Sequence, residues 1–249
     1  MNKIIQHLYT DWYKYVLEML VLIIGIYGAF ALDSWNQSRL ERKDERAVLV
    51  WVKNDLQNTI SELEFLNGIR NKVLSGTRGI IEMQGSMELI KDSIDGYLGL
   101  TLYRPTFNNK MGTVDLLFTS GKINVITNDT LKDLLIAWPG SIDDTIEEEA
   151  YAMKLFQEGY YPKMAEYLNI QDLMRFTSGP SFVGGLIQDE EIYPIKGFES
   201  DYEGLLSDRE FINHLRMRAS YMHICNGEVN ELILQTKDII NLIDKELNK

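Results

Sequence analysis

The residues best suited to bind a metal ion are His223, Cys225 and Glu228, which lie close together in the chain. Imidazole, thiolate and carboxylate groups all bind zinc, but zinc sites use ligand spacings that this trio does not match. On a helix, residues two positions apart point in different directions. The trio therefore predicts a packed helix surface, and we expect no bound metal and no cofactor.

Two other patterns have the residue types for chemistry but lack the required spacing. The segment Thr119–Lys122 resembles the end of a phosphate-binding loop, yet Leu116 stands where that loop needs its first glycine. The acidic cluster within 143–149 lacks the glycine-containing loop of a calcium site and is typical of the first turns of a helix. No nucleophile elbow is present. We therefore expect no catalytic residues and a protein that is not an enzyme, with a metal-dependent hydrolase as an alternative hypothesis.

Glu18 is the one charged residue in an otherwise apolar run from Val16 to Leu32. At about 1.5 Å per residue the run spans roughly 25 Å, close to the ~30 Å hydrocarbon core of a bilayer. Trp12 and Trp35 flank it, as aromatic residues do at membrane interfaces. The pattern predicts a short lead over residues 1–15 and a transmembrane helix over 16–35. The lipid bilayer is therefore an expected partner.

The alternatives to a retained membrane helix are a cleaved signal peptide and a buried helix of a soluble protein. Ala29-Phe30-Ala31 has the form of a signal-peptide cleavage site, but the apolar run continues through it and contains Glu18. A buried helix of a soluble protein normally has a polar face, which this run lacks.

One face of the predicted membrane helix carries an acid and two small residues at four-three spacing: Glu18, Leu22, Gly25, Ala29, Leu32 and Asn36. Gly25 and Ala29 form a small-xxx-small pair, which lets two helices approach closely. We expect self-association through Glu18, Leu22, Gly25 and Ala29. Two roles stay open for Glu18: its side chain extends to the lipid headgroups, or it faces its own copies across the interface.

The chain beyond the membrane reads as helical. Residues 36–75 predict one stalk helix, because proline is absent and apolar residues recur at three-four spacing; Ser75-Gly76 and Gly79 are expected to end it. Residues 76–249 form an acidic helical domain. Within it the sequence predicts helices at 86–97, 113–118, 129–138 and 141–158. Pro139-Gly140 is expected to separate the last two, and Gly159 and Pro162 to end the last one. Short strands are predicted at 182–183 and 192–193.

The last forty residues give the clearest helix signal. Ser207 and Glu210 form a predicted capping box, and apolar residues follow at three-four spacing almost to the C-terminus. Such a long helix is expected to pack along the stalk. The predicted fold is therefore all-α, with an N-terminal transmembrane helix continuing into a stalk and an elongated antiparallel helical bundle.

Charge and cysteine content exclude some classes of protein. The net charge is −12, and residues 1–75 are electrically balanced, so the distal domain carries the whole negative charge. Nucleic-acid binding requires clustered positive charge, so nucleic acid is not an expected partner. Cys225 is the only cysteine, which excludes an intrachain disulfide.

Three blocks of the sequence are similar to a known family. They are the run from Glu18 to Trp35 with its Ser34-Trp35-Asn36 exit, the block LLFTSGKINVITND from Leu116 to Asp129, and the closing LIDKEL from Leu242 to Leu247. Together they resemble the bacterial domain-of-unknown-function family 6090. The resemblance implies a single-pass bacterial membrane protein with a mainly helical extramembrane domain, and it supplies no reaction, ligand or catalytic residue.

We interpret the chain as a non-enzymatic, membrane-anchored interaction or scaffold module that forms a homo-oligomer. The alternative is a small oligomeric channel or ion-coupled membrane component that uses Glu18. We expect a bacterial inner-membrane location, and other membrane or envelope proteins as further partners. The large domain is expected in the periplasm because the N-terminal lead is short, although Arg39, Arg42, Lys43 and Arg46 after the run favour the opposite orientation.

Overall fold

All regular structure in the part of the chain described here is helical, which confirms the predicted all-α class. A computed structural model describes residues 2–84, 91–108, 112–174 and 199–249. Its helices are α1 (Asn2–Met83), α2 (Lys91–Thr101), α3 (Gly112–Thr119), α4 (Asp129–Leu155), α5 (Tyr161–Tyr167), α6 (Ile170–Met174), α7 (Tyr202–Ser207) and α8 (Arg209–Leu247). A 3₁₀ turn at Lys122–Val125 follows α3, and a π-helical turn at Phe156–Tyr160 joins α4 to α5.

Helix α1 contains the lead, the apolar run and the stalk in one uninterrupted helix of 82 residues. It ends at Met83, so the expected end at Ser75-Gly76 and Gly79 is wrong. These glycines lie against α2 instead: a Cβ at Gly76 would lie 2.5 Å from the Tyr97 carbonyl oxygen, and one at Gly79 would lie 2.5 Å from the Tyr97 ring. Glycine is needed there for close approach of α2, and the helix tolerates it at about 1 kcal/mol per residue.

Helix α8 packs antiparallel to the stalk part of α1, as predicted. The Lys53 ammonium bonds to Asp244, the Lys237 ammonium lies 3.4 Å from Glu64, and Asn67 Nδ2 donates to Asn230 Oδ1 at 2.9 Å. Residue numbers rise along α1 as they fall along α8, which defines an antiparallel pair. At 39 residues, α8 also has the expected length.

The N-cap of α8 is Asp208, so the prediction that Ser207 caps this helix is wrong. Asp208 Oδ1 accepts the backbone N–H of Glu210 at 2.7 Å and that of Phe211 at 3.1 Å. Ser207 is instead the last residue of α7. A carboxylate is the stronger acceptor for two orphan backbone donors, and its negative charge suits the positive end of the helix dipole.

Asn128 caps α4 as predicted, with its Oδ1 accepting the N–H of Leu131 at 3.0 Å. The predicted break at Pro139-Gly140 and the new helix from Ser141 are wrong, because α4 continues through Pro139 to Leu155. Trp138 is buried beside the proline, and its Nε1–H donates to Thr236 Oγ1 of α8 at 2.9 Å. We attribute the continuity to packing on both sides of the proline, which offsets its cost of about 3 kcal/mol.

Gly159 and Pro162 also lie within continuous helical structure. The π turn at Phe156–Tyr160 passes directly into α5, and Pro162 lies in the first turn of α5. A Cβ at Gly159 would lie 2.4 Å from the His214 ring, so this glycine permits α8 to approach. The expected interruption of the helix at these two residues is therefore wrong.

Two clusters of buried apolar side chains hold the bundle together. The larger one joins the stalk part of α1 to α3, α4 and α8 and includes Leu49, Leu63 and Trp138. The second lies at the far end of the bundle, between the end of α1, α2, α5, α7 and the start of α8, around Tyr160 and Phe211.

The predicted helix at 113–118 corresponds to α3, and α2 covers the second half of the one predicted at 86–97. The two predicted strands lie outside the described residues.

Candidate functional site

The apolar segment of α1 is exposed along its whole length. In the described part of the chain, α1 is the one helix long and apolar enough to cross a membrane, and none of its most apolar stretch is buried. Every large apolar side chain between Val16 and Leu32 is at least 43% exposed. Soluble monomers rarely expose a contiguous apolar surface of this extent, so the segment is the first candidate for an interaction site.

The structure places Glu18, Leu22, Gly25 and Ala29 on one side of this segment. At 3.6 residues per turn, these positions fall within a sector of about 60° around the helix. All four are exposed, and nothing lies within 4 Å of a Cβ built at Gly25. These four residues, the predicted association face, therefore form a surface that the described part of the same chain does not cover, and their role in self-association stays a prediction.

Glu45 marks the point where the bundle begins beyond the apolar segment. Its carboxylate is almost wholly buried, at 1% exposure, and accepts both the backbone N–H and the hydroxyl of Thr127 at 2.7 Å, while Arg42 donates to its other oxygen. Burial raises the pKa of Glu45, but the bonds from Thr127 and Arg42 outweigh this effect and hold the pKa below its usual value. Glu45 was not singled out from the sequence; its only signal is that it lies on the α1 face that carries Leu49, Val52 and Leu56.

Glu246 completes a polar junction at the same end of the bundle. Asn128 Nδ2 donates to its carboxylate at 2.6 Å, Lys249 donates to the same oxygen at 2.7 Å, and Arg42 donates to its backbone carbonyl. The hydrogen bond from Lys249, followed by that from Asn128, lowers the pKa of Glu246. The start of the stalk, the start of α4 and the end of α8 are thus joined by charged and polar groups.

A second buried charge pair lies in the larger core. Arg70 donates to Glu149, which also accepts the backbone N–H of Phe107 at 2.6 Å. Burial lowers the pKa of Arg70 and raises the pKa of Glu149, and the attraction between the two opposes both shifts. The acidic residues at 143–149 were expected in the first turns of a helix; because α4 begins at Asp129, they lie in its second half, and Glu149 joins α4 to the stalk.

Arg218 of α8 binds the C-terminal end of α2. Its Nε donates to the Thr101 carbonyl at 2.8 Å and one terminal nitrogen donates to the Tyr103 carbonyl, while the guanidinium lies 4.3 Å from the Phe156 ring centre. These carbonyls lack helical partners, so Arg218 supplies the hydrogen bonds that a helix end requires. Burial lowers the pKa of Arg218 to about 10, which leaves it charged at neutral pH.

The candidate metal trio of the sequence is not brought together. Cys225 is buried in the larger core, whereas His223 is exposed on α8 and Glu228 is half-buried. Within the described ranges, no three His, Cys, Asp or Glu residues form a group that could hold a metal ion. Burial raises the pKa of the Cys225 thiol to about 11, so this cysteine stays protonated at neutral pH.

Comparison of the chain with protein-family models, with curated proteins and with solved structures gives no match. The resemblance to family 6090 therefore stays a prediction, and a functional proposal has to start from the geometry above.

Proposed function

We propose that the protein is a non-enzymatic, membrane-anchored interaction or scaffold module that self-associates. The observation that carries the proposal is the exposed apolar segment of α1, which is continuous with a helix whose stalk part is buried in the bundle. One rigid element thus contains both the anchor and the first helix of the domain. The buried polar groups join helices to one another, which agrees with a structural role for the bundle.

Insertion of the segment in a bilayer is favourable despite Glu18. On insertion scales, each central Leu, Ile, Val or Phe contributes about 0.3–0.6 kcal/mol, whereas a central acid costs about 2.5–3.5 kcal/mol. About a dozen large apolar residues therefore offset one acid, and Glu18 lies only two residues from the start of the run, where the cost is lower.

The proposed location is a bacterial inner membrane, with the large domain in the periplasm. The positive-inside rule points the other way, because four Lys/Arg residues follow the run within fourteen positions. The periplasmic assignment is supported by local neutralisation of this positive charge, because Glu41, Asp44 and Glu45 are interleaved with the basic residues and Arg42 is paired with Glu45.

Labelling of an introduced cysteine tests the orientation. Gln235 is exposed on α8, and the native Cys225 is buried, so Gln235→Cys adds one accessible thiol. We expect a membrane-impermeant maleimide to label this variant in intact spheroplasts. Labelling that requires detergent would place the large domain in the cytoplasm and overturn the periplasmic assignment.

Self-association is tested by the native mass of the full chain in lipid nanodiscs. We expect more than one copy of the 28.8 kDa chain per particle. The double variant Gly25→Leu/Ala29→Leu adds bulk to the association face and should reduce the oligomer, because close helix approach requires small residues. The matched control is Gly28→Leu/Ala31→Leu, which adds the same bulk outside that face. If the oligomer is unchanged in Gly25→Leu/Ala29→Leu, self-association does not use the association face.

A channel or ion-coupled component that uses Glu18 is the second candidate. It is favoured by the position of Glu18, the one charge of the apolar run, on the same face as Gly25 and Ala29. Several copies meeting along this face would place their Glu18 carboxylates near one another. Proton leak in liposomes that contain the protein would support this candidate.

A further inference from the structure

The association face does not end at the membrane. At 3.6 residues per turn, a series of stalk residues lies within about 40° of the angular position that Gly25 and Ala29 share around the axis of α1. We call these residues the stalk stripe: Asn36, Leu40, Lys43, Ala47, Val50, Asn54, Asn58, Ser61, Phe65 and Gly68.

Every residue of the stalk stripe is exposed. The buried stalk residues Leu49, Leu56 and Leu63 lie roughly 180° away around the helix, where α8 and α4 pack. The stripe is therefore the outer side of the bundle. It nevertheless carries large apolar groups: Leu40 is 56% exposed, Val50 43% and Phe65 55%, with Trp51 at its edge 56% exposed.

The stripe is almost without charge, although the distal domain of the protein is strongly acidic. Lys43 is its only charged residue, and the remaining members are apolar, small or neutral polar. In a symmetric parallel pair of helices, each residue on the contact line faces its own copy, so any charge there meets a like charge. A surface with few charges favours such a pair, and Asn54 and Asn58 can each hydrogen-bond to the same residue of the other chain.

The dimensions also suit a stable pair. From Glu18 to Gly68 the face is about 75 Å long, and at a contact width of about 10 Å it offers roughly 750 Å² per chain. Stable protein interfaces bury about 800 Å² per partner. The membrane part alone is shorter, so the stalk stripe supplies the larger share of the area.

We propose that a second copy of this chain packs in parallel along the stalk stripe, in continuation of the membrane face. Because both chains insert in the membrane in the same direction, their stalks leave it side by side and parallel. This inference rests on the self-association proposed above, which it extends from the membrane segment to residues 36–68. The occupant is a copy of the chain, since the membrane face already brings the two stripes opposite each other.

Disulfide crosslinking of the full chain in membranes tests the stripe. Asn54→Cys and Ser61→Cys each place a thiol close to the contact line, and Gln235→Cys on α8 is the control. A disulfide requires Cα atoms within about 7 Å, so it forms between identical positions only if the stalks touch there. We expect mild oxidation to shift both stripe variants from 28.8 kDa to the mass of two chains, with no shift for the control.

The outcomes separate this inference from the parent proposal. An oligomer in nanodiscs without crosslinking at either stripe position overturns the stalk contact while the membrane contact stands. A monomer overturns both. Crosslinking of Gln235→Cys to the same extent would indicate random collision and overturn the stripe.

A pair of charge substitutions provides a second measurement that needs no cysteine. Phe65→Glu places two like charges opposite each other on the stripe. Leu234→Glu introduces the same charge at an apolar residue of α8 that is somewhat more exposed, at 64% against 55% for Phe65. We expect Phe65→Glu to lower the oligomeric fraction in nanodiscs and Leu234→Glu to leave it unchanged. Equal oligomeric fractions for the two variants contradict the stripe.

Discussion

At the scale of single residues, the charges of this protein fall into two groups with different surroundings. Glu45, Arg70 and Glu149 are buried within the bundle: Glu45 bonds to Thr127 in the turn before α4, and Arg70 of α1 bonds to Glu149 of α4. Glu18 lies in the apolar segment, with its side chain exposed. A buried ion pair adds little stability compared with a pair of apolar side chains, but removal of one partner is strongly destabilising. The free-energy cost of a lone acid in an apolar segment depends on whether lipid, water or another protein chain surrounds it.

Substitution of Glu18 separates its two open roles. Glu18→Gln keeps the capacity for hydrogen bonding and removes the charge, while Glu18→Leu removes both. If Glu18 faces its own copies, we expect the oligomer in nanodiscs to persist in Gln and to weaken in Leu, because only Gln can still bond across the interface. An intact oligomer in the Leu variant would show that Glu18 extends to the headgroups instead.

The Arg70–Glu149 pair predicts a non-additive effect on stability. Glu149→Ala leaves the Arg70 guanidinium buried without its carboxylate, which should cost about 3–5 kcal/mol in the free energy of unfolding. The double variant Arg70→Met/Glu149→Leu should cost clearly less, because no buried charge remains unpaired. Denaturant unfolding of the detergent-solubilised protein measures both, and equal losses would mean that packing rather than charge determines the effect.

The polar junction at the start of the bundle predicts a loss of stability in acid. The pKa of Glu45 and that of Glu246 are lower in the folded protein than usual, so the unfolded chain binds protons first as pH falls. Their contribution is present above the usual glutamate pKa of about 4.3 and is lost below it. We expect the melting temperature to fall between pH 6 and about 3, with a smaller fall in Glu45→Gln. An identical fall in that variant would contradict the role of Glu45.

At the scale of helices, local signals located most elements but misplaced several ends. Three features were predictable because their signals are local in the sequence. The side chain of Asn128 caps α4, a glycine follows α3, and a long apolar repeat sets the length of α8. The ends near Gly76 and Pro139 were not predictable, because they depend on contacts with Tyr97 and Thr236, which are distant in the chain. The hydrogen bond from Arg42 to the Glu246 carbonyl and the buried pair Arg70–Glu149 were missed for the same reason.

The N-cap of α8 gives a prediction at this scale. Asp208→Ala removes the acceptor for two backbone N–H groups and should cost on the order of 1 kcal/mol, with a corresponding drop in melting temperature. Ser207→Ala should be close to neutral, because Ser207 ends α7 and does not cap α8. A larger loss in Ser207→Ala than in Asp208→Ala would restore the capping box expected from the sequence.

At the scale of the whole molecule, the apolar segment and the bundle share one helix, so their orientations about the axis of that helix are coupled. An insertion of two alanines between Asn36 and Arg42 turns the stalk by about 200° relative to the membrane face, whereas seven alanines turn it by only about 20° from its original direction. If the stripe is a contact, the Ser61→Cys crosslink should disappear with two residues and return with seven. A crosslink that survives both insertions would mean that the stalk associates independently of the membrane segment.

The unbroken course of α1 also fixes a height. From Trp35 to Met83 the helix rises about 72 Å at 1.5 Å per residue, and no flexible linker interrupts it. If the apolar segment spans a bilayer with α1 upright, the far end of the bundle around Tyr160 and Phe211 is held at one fixed distance from the membrane surface. That distance is set by the number of residues in α1, and the seven-residue insertion would lengthen it by about 10 Å.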